Sequence, residues 1–198
     1  MKESAEIAVI LILIVFIILL VFWPKLGFLA RLKQSYKDRM KILIEDSLKF
    51  IFNCGYEKTV CDTEKLRRQL RISAEKLDGL VKQLTALELI HCQNGLVQLT
   101  AEGRSYALRI IRIHRLWEKY LADETSFPEE DWHKIAHRKE HKLSIEDANH
   151  LAEQMGNPGF DPHGDPIPTA SGDMPVQEGV SMTRLLSGDV AQVVHVED

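Results

Sequence analysis

Residues 132–142 read W-H-K-I-A-H-R-K-E-H-K, and the spacing of the ligand-type side chains in this stretch decides how the chain is organised. At 100° per residue, His133, His137, Glu140 and His141 fall at about 0°, 40°, −20° and 80° around a helix, one stripe that can face a metal ion or a pair of ions. Upstream, the run R-I-H-R-L-W-E-K-Y-L places His114 and Glu118 at i, i+4 on a second helix-like segment. One such pair alone reads more readily as a solvated polar face that happens to carry His, since such pairs occur by chance. Two clusters together supply six imidazole and carboxylate groups, the donor set of a divalent transition-metal site. Imidazole suits manganese, iron, zinc, nickel and copper alike; the carboxylates move the preference toward Mn2+ or Fe2+ without excluding Zn2+.

Before this stretch the chain alternates between helical and strand patterns. Ile44, Leu48, Ile51 and Phe52 predict a first amphipathic helix over 42–52, closed by Asn53-Cys54-Gly55 with Gly55 left-handed. Asp62 or Thr63 can cap a second helix, with Leu66 and Leu70 pointing inward. Ser73 can cap a third, with Leu77, Leu80, Val81 and Leu84 inward. Leu89–Cys92, Gln93-Asn94-Gly95 and Leu96–Thr100 then read as strand, turn and strand, Asn-Gly being a strong two-residue hairpin signal. Helix, helix-turn-helix and hairpin is the winged-helix order. Thr100 opens the long helix carrying His114, Pro128 begins the helix with the His cluster, and Ser144 caps a further helix to Met155. Residues 156–180 are rich in Gly, Pro and Asp and read as a linker. Alternation returns over 182–197 around a Gly188-Asp189 turn, the start of a small β unit with too few strands for a barrel.

The N-terminus differs in kind. Ile7 to Pro24 is a run of eighteen uncharged residues, near the lower limit for a membrane-spanning helix. Glu3 and Glu6 precede it and Trp23-Pro24-Lys25 follows, unlike a cleaved signal peptide. Lys25, Arg31, Lys33, Lys37, Arg39 and Lys41 after the run, against Lys2 before it, place everything beyond Lys25 in the cytoplasm. The basic stretch would lie against anionic headgroups, with Leu26, Phe28, Leu29 and Leu32 as apolar anchors. Cys54, Cys61 and Cys92 are odd in number and have no C-x-x-C spacing, as expected of free thiols in a reducing compartment. A net charge of −4 does not announce a nucleic-acid partner, so any basic surface must be local. No G-x-S-x-G, phosphate-binding loop or Cys–His signature is present, and the expectation is that the chain is not an enzyme.

H-R-L-W-E at 114–118, W-H-K-I-A-H-R-K-E-H at 132–141 and G-D-P-I-P at 164–168 together resemble the diphtheria-toxin-repressor family of metal-dependent transcriptional regulators, from about Glu45 to Pro168. The resemblance implies a mainly helical fold with a small β-wing. Residues 1–24 would then be a transmembrane anchor, 25–41 a basic juxtamembrane segment, 42–110 the winged helix-turn-helix, 111–168 the metal-binding and dimerisation domain, and 169–198 a linker with a truncated SH3-like (FeoA-like) segment. It implies one metal site on His114, Glu118 and His133, and a second on His137, Glu140 and His141 joined by Asp46 from the first helix. His137 stands where iron sensors commonly carry Cys and manganese sensors a carboxylate, and Lys49 where manganese-type members can offer a further carboxylate. L-L-V-F-W-P-K-L-G-F-L-A-R-L at 19–32 resembles the last transmembrane helix of a metal ABC-transporter permease.

If the chain reads DNA, its third helix should enter the major groove. That helix carries Glu75 and Asp78 against Lys76 and Lys82 and offers no Arg for guanine. Contacts would come from Lys65, Arg67, Arg68, Arg71, Ser73 and Lys76, mostly to phosphate. The expected protein is an inner-membrane, single-pass, homodimeric regulator that faces the cytoplasm, responds to Mn2+ or Fe2+ and controls metal-uptake genes through double-stranded operator DNA. The alternative is a metal-sensing module that does not bind DNA and acts on a metal ABC permease.

Overall fold

The computed structural model describes residues 28–176, 180 and 182–195. The apolar run of residues 7–24, and the transmembrane helix expected there, lie outside the described residues. Among the described residues no helix is long and apolar enough to cross a membrane. The chain divides into two units at Leu43 and Ile44.

Helix α1 spans Phe28–Tyr56, longer at both ends than the expected 42–52. Residues 28–41 contain no Pro or Gly and are rich in Leu, Arg, Lys, Gln and Ala, all good helix formers, so the described part of the segment expected to be a separate juxtamembrane stretch is helical. At the other end Gly55 stays helical, and Lys58 takes the left-handed conformation instead, with φ 57°. In the first unit the apolar side chains Phe28, Leu29, Leu32 and Tyr36 are exposed.

In the second unit Ile44, Leu48, Ile51 and Phe52 of α1 are buried, the helical spacing expected of a core face. Helix α2 (Thr63–Leu70) is capped by Asp62, whose carboxylate accepts from the Lys65 backbone N–H at 2.7 Å. Arg71 closes it in the left-handed region. Helix α3 (Ala74–Ala86) is capped by Ser73 and buries Leu80 and Leu84, with Leu77 and Val81 half-buried. Strands β1 (Ile90–Gln93) and β2 (Leu96–Leu99) form an antiparallel hairpin pairing Ile90 with Leu99 and Gln93 with Leu96. Asn94 and Gly95 both have positive φ, the requirement of the two-residue turn that Asn-Gly favours. Cys61 and Asp62 add a short third rung, the Val97 N–H donating to Cys61 O at 3.0 Å.

Helix α4 (Ala101–Glu124) starts at Thr100, whose hydroxyl accepts from Gly103 N–H and donates to Glu88 O at 2.6 Å. That double tie fixes the long helix to the edge of the wing. Helix α5 (Glu129–Glu140) has three acids in its first turn and His137, Arg138 and Lys139 in its last, matching the helix dipole. Helix α6 (Ile145–Gln154) begins with a capping box between Ser144 and Asp147. Ile113 and Leu116 of α4, Ala148 and Ala152 of α6 and Ile167 form a second core. The G-D-P-I-P strap is fastened there: Arg112 donates to Pro168 O at 2.7 Å and Arg115 to Pro166 O at 2.6 Å.

The small β unit expected over 182–197 does not form among the described residues. A single 3-10 turn, Met182–Arg184, stands in its place, and Val190 is fully exposed. Isolated alternating residues have no second strand to satisfy their backbone groups, so the alternation alone does not make a sheet.

Candidate metal centre

Three helices converge on the ligand-type side chains. Helix α4 contributes His114 and Glu118 from consecutive turns, both buried. Helix α5 contributes His133, His137 and Glu140, and His141 is the cap that follows its last residue. Helix α1 contributes Glu45, Asp46 and Lys49. The expected single stripe on α5 is divided between two sites. His133 joins His114 and Glu118, while His137, Glu140 and His141 gather with Asp46. Within each group one ligand atom per residue lies within 4.8 Å of the others, close to the spread of donors around one transition-metal ion.

In the first group, His114 Nε2 stands 3.1 Å from Glu118 Oε1 and 3.3 Å from His133 Nδ1, and His133 Nδ1 stands 3.1 Å from the same carboxylate. The His133 side chain is 68% exposed, so this group opens to solvent. In the second, Glu140 is central. Its carboxylate, fully buried, meets His137 Nδ1 at 3.0 Å, His141 Nε2 at 3.5 Å and His114 Nδ1 at 2.5 Å. His141 Nε2 also lies 3.5 Å from Asp46. Glu140 therefore serves the second group directly and, through His114, orients a ligand of the first.

The electrostatics follow from burial and partners. Burial pushes the Glu118 carboxyl up, but hydrogen bonds from His114 and His133 outweigh it and hold it at about 2. Burial works against ionised Glu140 as well, and His114, His137 and the Lys49 charge hold its carboxyl well below the usual range. Asp46 goes the other way: burial raises it against the pull of His137 and His141, and neighbouring Glu140 adds to the rise. An all-nitrogen-and-oxygen set with ionised carboxylates fits Mn2+ or Fe2+, and does not discriminate against Zn2+.

Two residues at this centre were not among the expected ligands. Glu45 is buried, accepts from the Tyr106 hydroxyl at 2.8 Å and meets His141 Nδ1 at 2.7 Å. A carboxylate that accepts from Nδ1–H leaves Nε2 as the lone-pair nitrogen facing Asp46 and Glu140. Lys49 places its ammonium 2.9 and 2.8 Å from the two oxygens of Glu140. The only sequence signal for Glu45 was its place beside Asp46; its partner His141 is 96 positions away.

The expected DNA-contacting residues are on the surface but not all are available. Arg67 pairs with Glu64 through two bonds, at 2.9 and 2.8 Å, and Arg68 reaches the same carboxylate at 3.2 Å. The Arg67 hydrogen bond is the main cause that lowers the Glu64 carboxyl to about 2. Lys65 Nζ donates to Val60 O at 2.7 Å, and the Ser73 hydroxyl is used as the cap of α3. Arg71 and Lys76 are exposed.

Residues 100–169 match the family described as iron dependent repressor, metal binding and dimerisation domain. The iron-dependent repressor IdeR of Mycobacterium leprae is 35% identical over 115 residues, covering 52% of this chain and 50% of that one. A probable metal transport system membrane protein of Chlamydia trachomatis is 35% identical over 80 residues, 40% of this chain and 18% of its own. The chain thus spans half or less of these relatives. Among solved structures, a manganese-dependent transcriptional repressor in complex with manganese aligns with a TM-score of 0.68 at 30% identity, over 78% of this chain and 72% of that one. With that identity and coverage, the chain belongs to the family of iron- and manganese-dependent repressors that includes the diphtheria toxin repressor.

Proposed function

We propose that this protein is a metal-dependent, dimeric DNA-binding regulator that responds to Mn2+ or Fe2+ and controls metal-uptake genes. One observation carries the reading. Asp46, on the first helix of the winged part, gathers with His137, Glu140 and His141 of the helical part, one ligand-type atom of each within 4.8 Å of the others. A divalent ion held there supplies two positive charges that favour one orientation of the DNA-reading helices over others. His137, Glu140, His141 and Asp46 would hold the tighter ion; His114, Glu118 and His133 would hold one at the more open group.

Calorimetric titration of the full chain with Mn2+ tests the centre. His137→Ala with His141→Ala should abolish the tighter binding, and unchanged stoichiometry and affinity would remove the assignment. Selection of genomic fragments with and without Mn2+ tests the DNA reading: metal should enrich palindromic sites. Failure to enrich any sequence in either condition would sink it.

A second reading is favoured by the likeness to the chlamydial metal transport membrane protein and by the zero net charge of α3. In it the same centre acts on a metal permease, and DNA binding is absent or at most weak and independent of metal. The apolar run of residues 7–24 and the basic residues after it support a single membrane pass with the C-terminus cytoplasmic. A C-terminal reporter active only on the opposite side would overturn that topology.

A further inference from the structure

We propose that Lys49 is a built-in cation of the metal centre: its ammonium ties α1 to Glu140 in the metal-free protein and competes with a divalent ion for that carboxylate. The inference rests on the metal reading above.

The ammonium sits on both oxygens of Glu140, at 2.9 and 2.8 Å, and 3.5 Å from His114 Nδ1. Glu140 belongs to the Asp46 group and also hydrogen-bonds a residue of the His114 group. Lys49 therefore occupies the junction of the two clusters. Asp46 and Lys49 are three residues apart on α1, so one turn of helix offers the centre an acidic ligand and a positive charge together. The Glu140 side chain is 0% exposed while that of Lys49 is 20% exposed. A carboxylate buried that completely is costly without a counter-charge, and Lys49 supplies one before any ion is bound.

Two consequences follow. The link between α1 and α5 that an ion would otherwise provide already exists in part, so the metal-free protein is stabilised by it. The same charge, a few ångströms from where a divalent ion would share Glu140, opposes that ion by like-charge repulsion and by holding the carboxylate. Lys49 thus sets a weaker affinity than the ligand set alone would give, and makes occupancy of one group felt at the other through the shared Glu140.

The test compares the purified full chain with Lys49→Met and Lys49→Arg by Mn2+ calorimetry and by thermal melting in metal-free buffer. Lys49→Met should bind Mn2+ about tenfold tighter or more, melt lower without metal, and show a larger rise in melting temperature on adding Mn2+. Lys49→Arg, keeping the charge, should stay within a few fold of the parent. Affinity in Lys49→Met that is unchanged or weaker, beside a parent that binds, overturns the inference alone. If Lys49→Met is unfolded without metal, Mn2+ must restore its fold, and a chain that stays unfolded at saturating Mn2+ overturns it too. A parent that binds neither Mn2+ nor Fe2+ removes the metal reading and this inference with it.

Discussion

Glu45 of the first helix and His141 at the end of α5 are joined by a 2.7 Å hydrogen bond across 96 positions of sequence, and the Tyr106 hydroxyl donates to the same carboxylate at 2.8 Å. This bond fixes which nitrogen of His141 faces the centre. Carboxylate partners of metal-binding histidines typically matter about 10–100-fold in metal affinity. Glu45→Ala should therefore weaken Mn2+ binding by about that factor, although Glu45 is not placed among the ligands. Titration of Glu45→Ala and Tyr106→Phe beside the parent checks it, and equal affinity for Glu45→Ala would show that His141 is oriented by other means.

Acid should weaken the metal-free protein through Glu118. Its folded carboxyl is held at about 2, below the ordinary 4.5, so its contribution to stability is complete above pH 4.5 and drains as pH falls toward 2. The part at stake is on the order of 3 kcal/mol. Denaturant melts of metal-free protein from pH 7 down to 2.5 should show this loss, and Glu118→Gln should flatten that portion of the curve. A Glu118→Gln profile parallel to the parent's would contradict the assignment.

Gly103 lies where α4 meets the wing, and a Cβ there would stand 1.9 Å from Leu89 O. Backbone cannot retreat as a flexible side chain does. Gly103→Ala should cost about 3 kcal/mol or more, or prevent folding. Gly79→Ala on exposed α3 meets nothing within 4 Å and should instead stabilise by up to about 1 kcal/mol. Thermal melts of the two variants should move in opposite directions.

The pairing of Arg67 and Arg68 with Glu64 gives a test of the DNA surface that does not depend on the operator sequence. If these arginines reach phosphates, Glu64→Gln releases them and steepens the fall of log K with log salt by roughly 0.9 for each further phosphate neutralised. Replacing Arg67, Arg68 and Arg71 with Ala should flatten the slope by the same amount for each phosphate left without its arginine. Filter binding across a salt series reads both, and slopes that ignore both changes would take α2 off the DNA.

Local chemistry made much of this protein legible in the chain itself. Asp62, Ser73 and Ser144 cap helices because their side-chain oxygens reach backbone N–H groups two or three residues on, and Asn94-Gly95 turns the hairpin because both residues tolerate positive φ. The i, i+4 spacing likewise placed His114 with Glu118 and His137 with His141. Other features depended on partners far away in sequence. The separation of His133 from His137, the seating of Glu45 on His141 and the capture of Glu140 by Lys49 arise only where α1, α4 and α5 cross. Helical periodicity gives the direction of a side chain around its own axis; which buried charge it meets is set by how the helices pack, and that was decided by the tertiary structure.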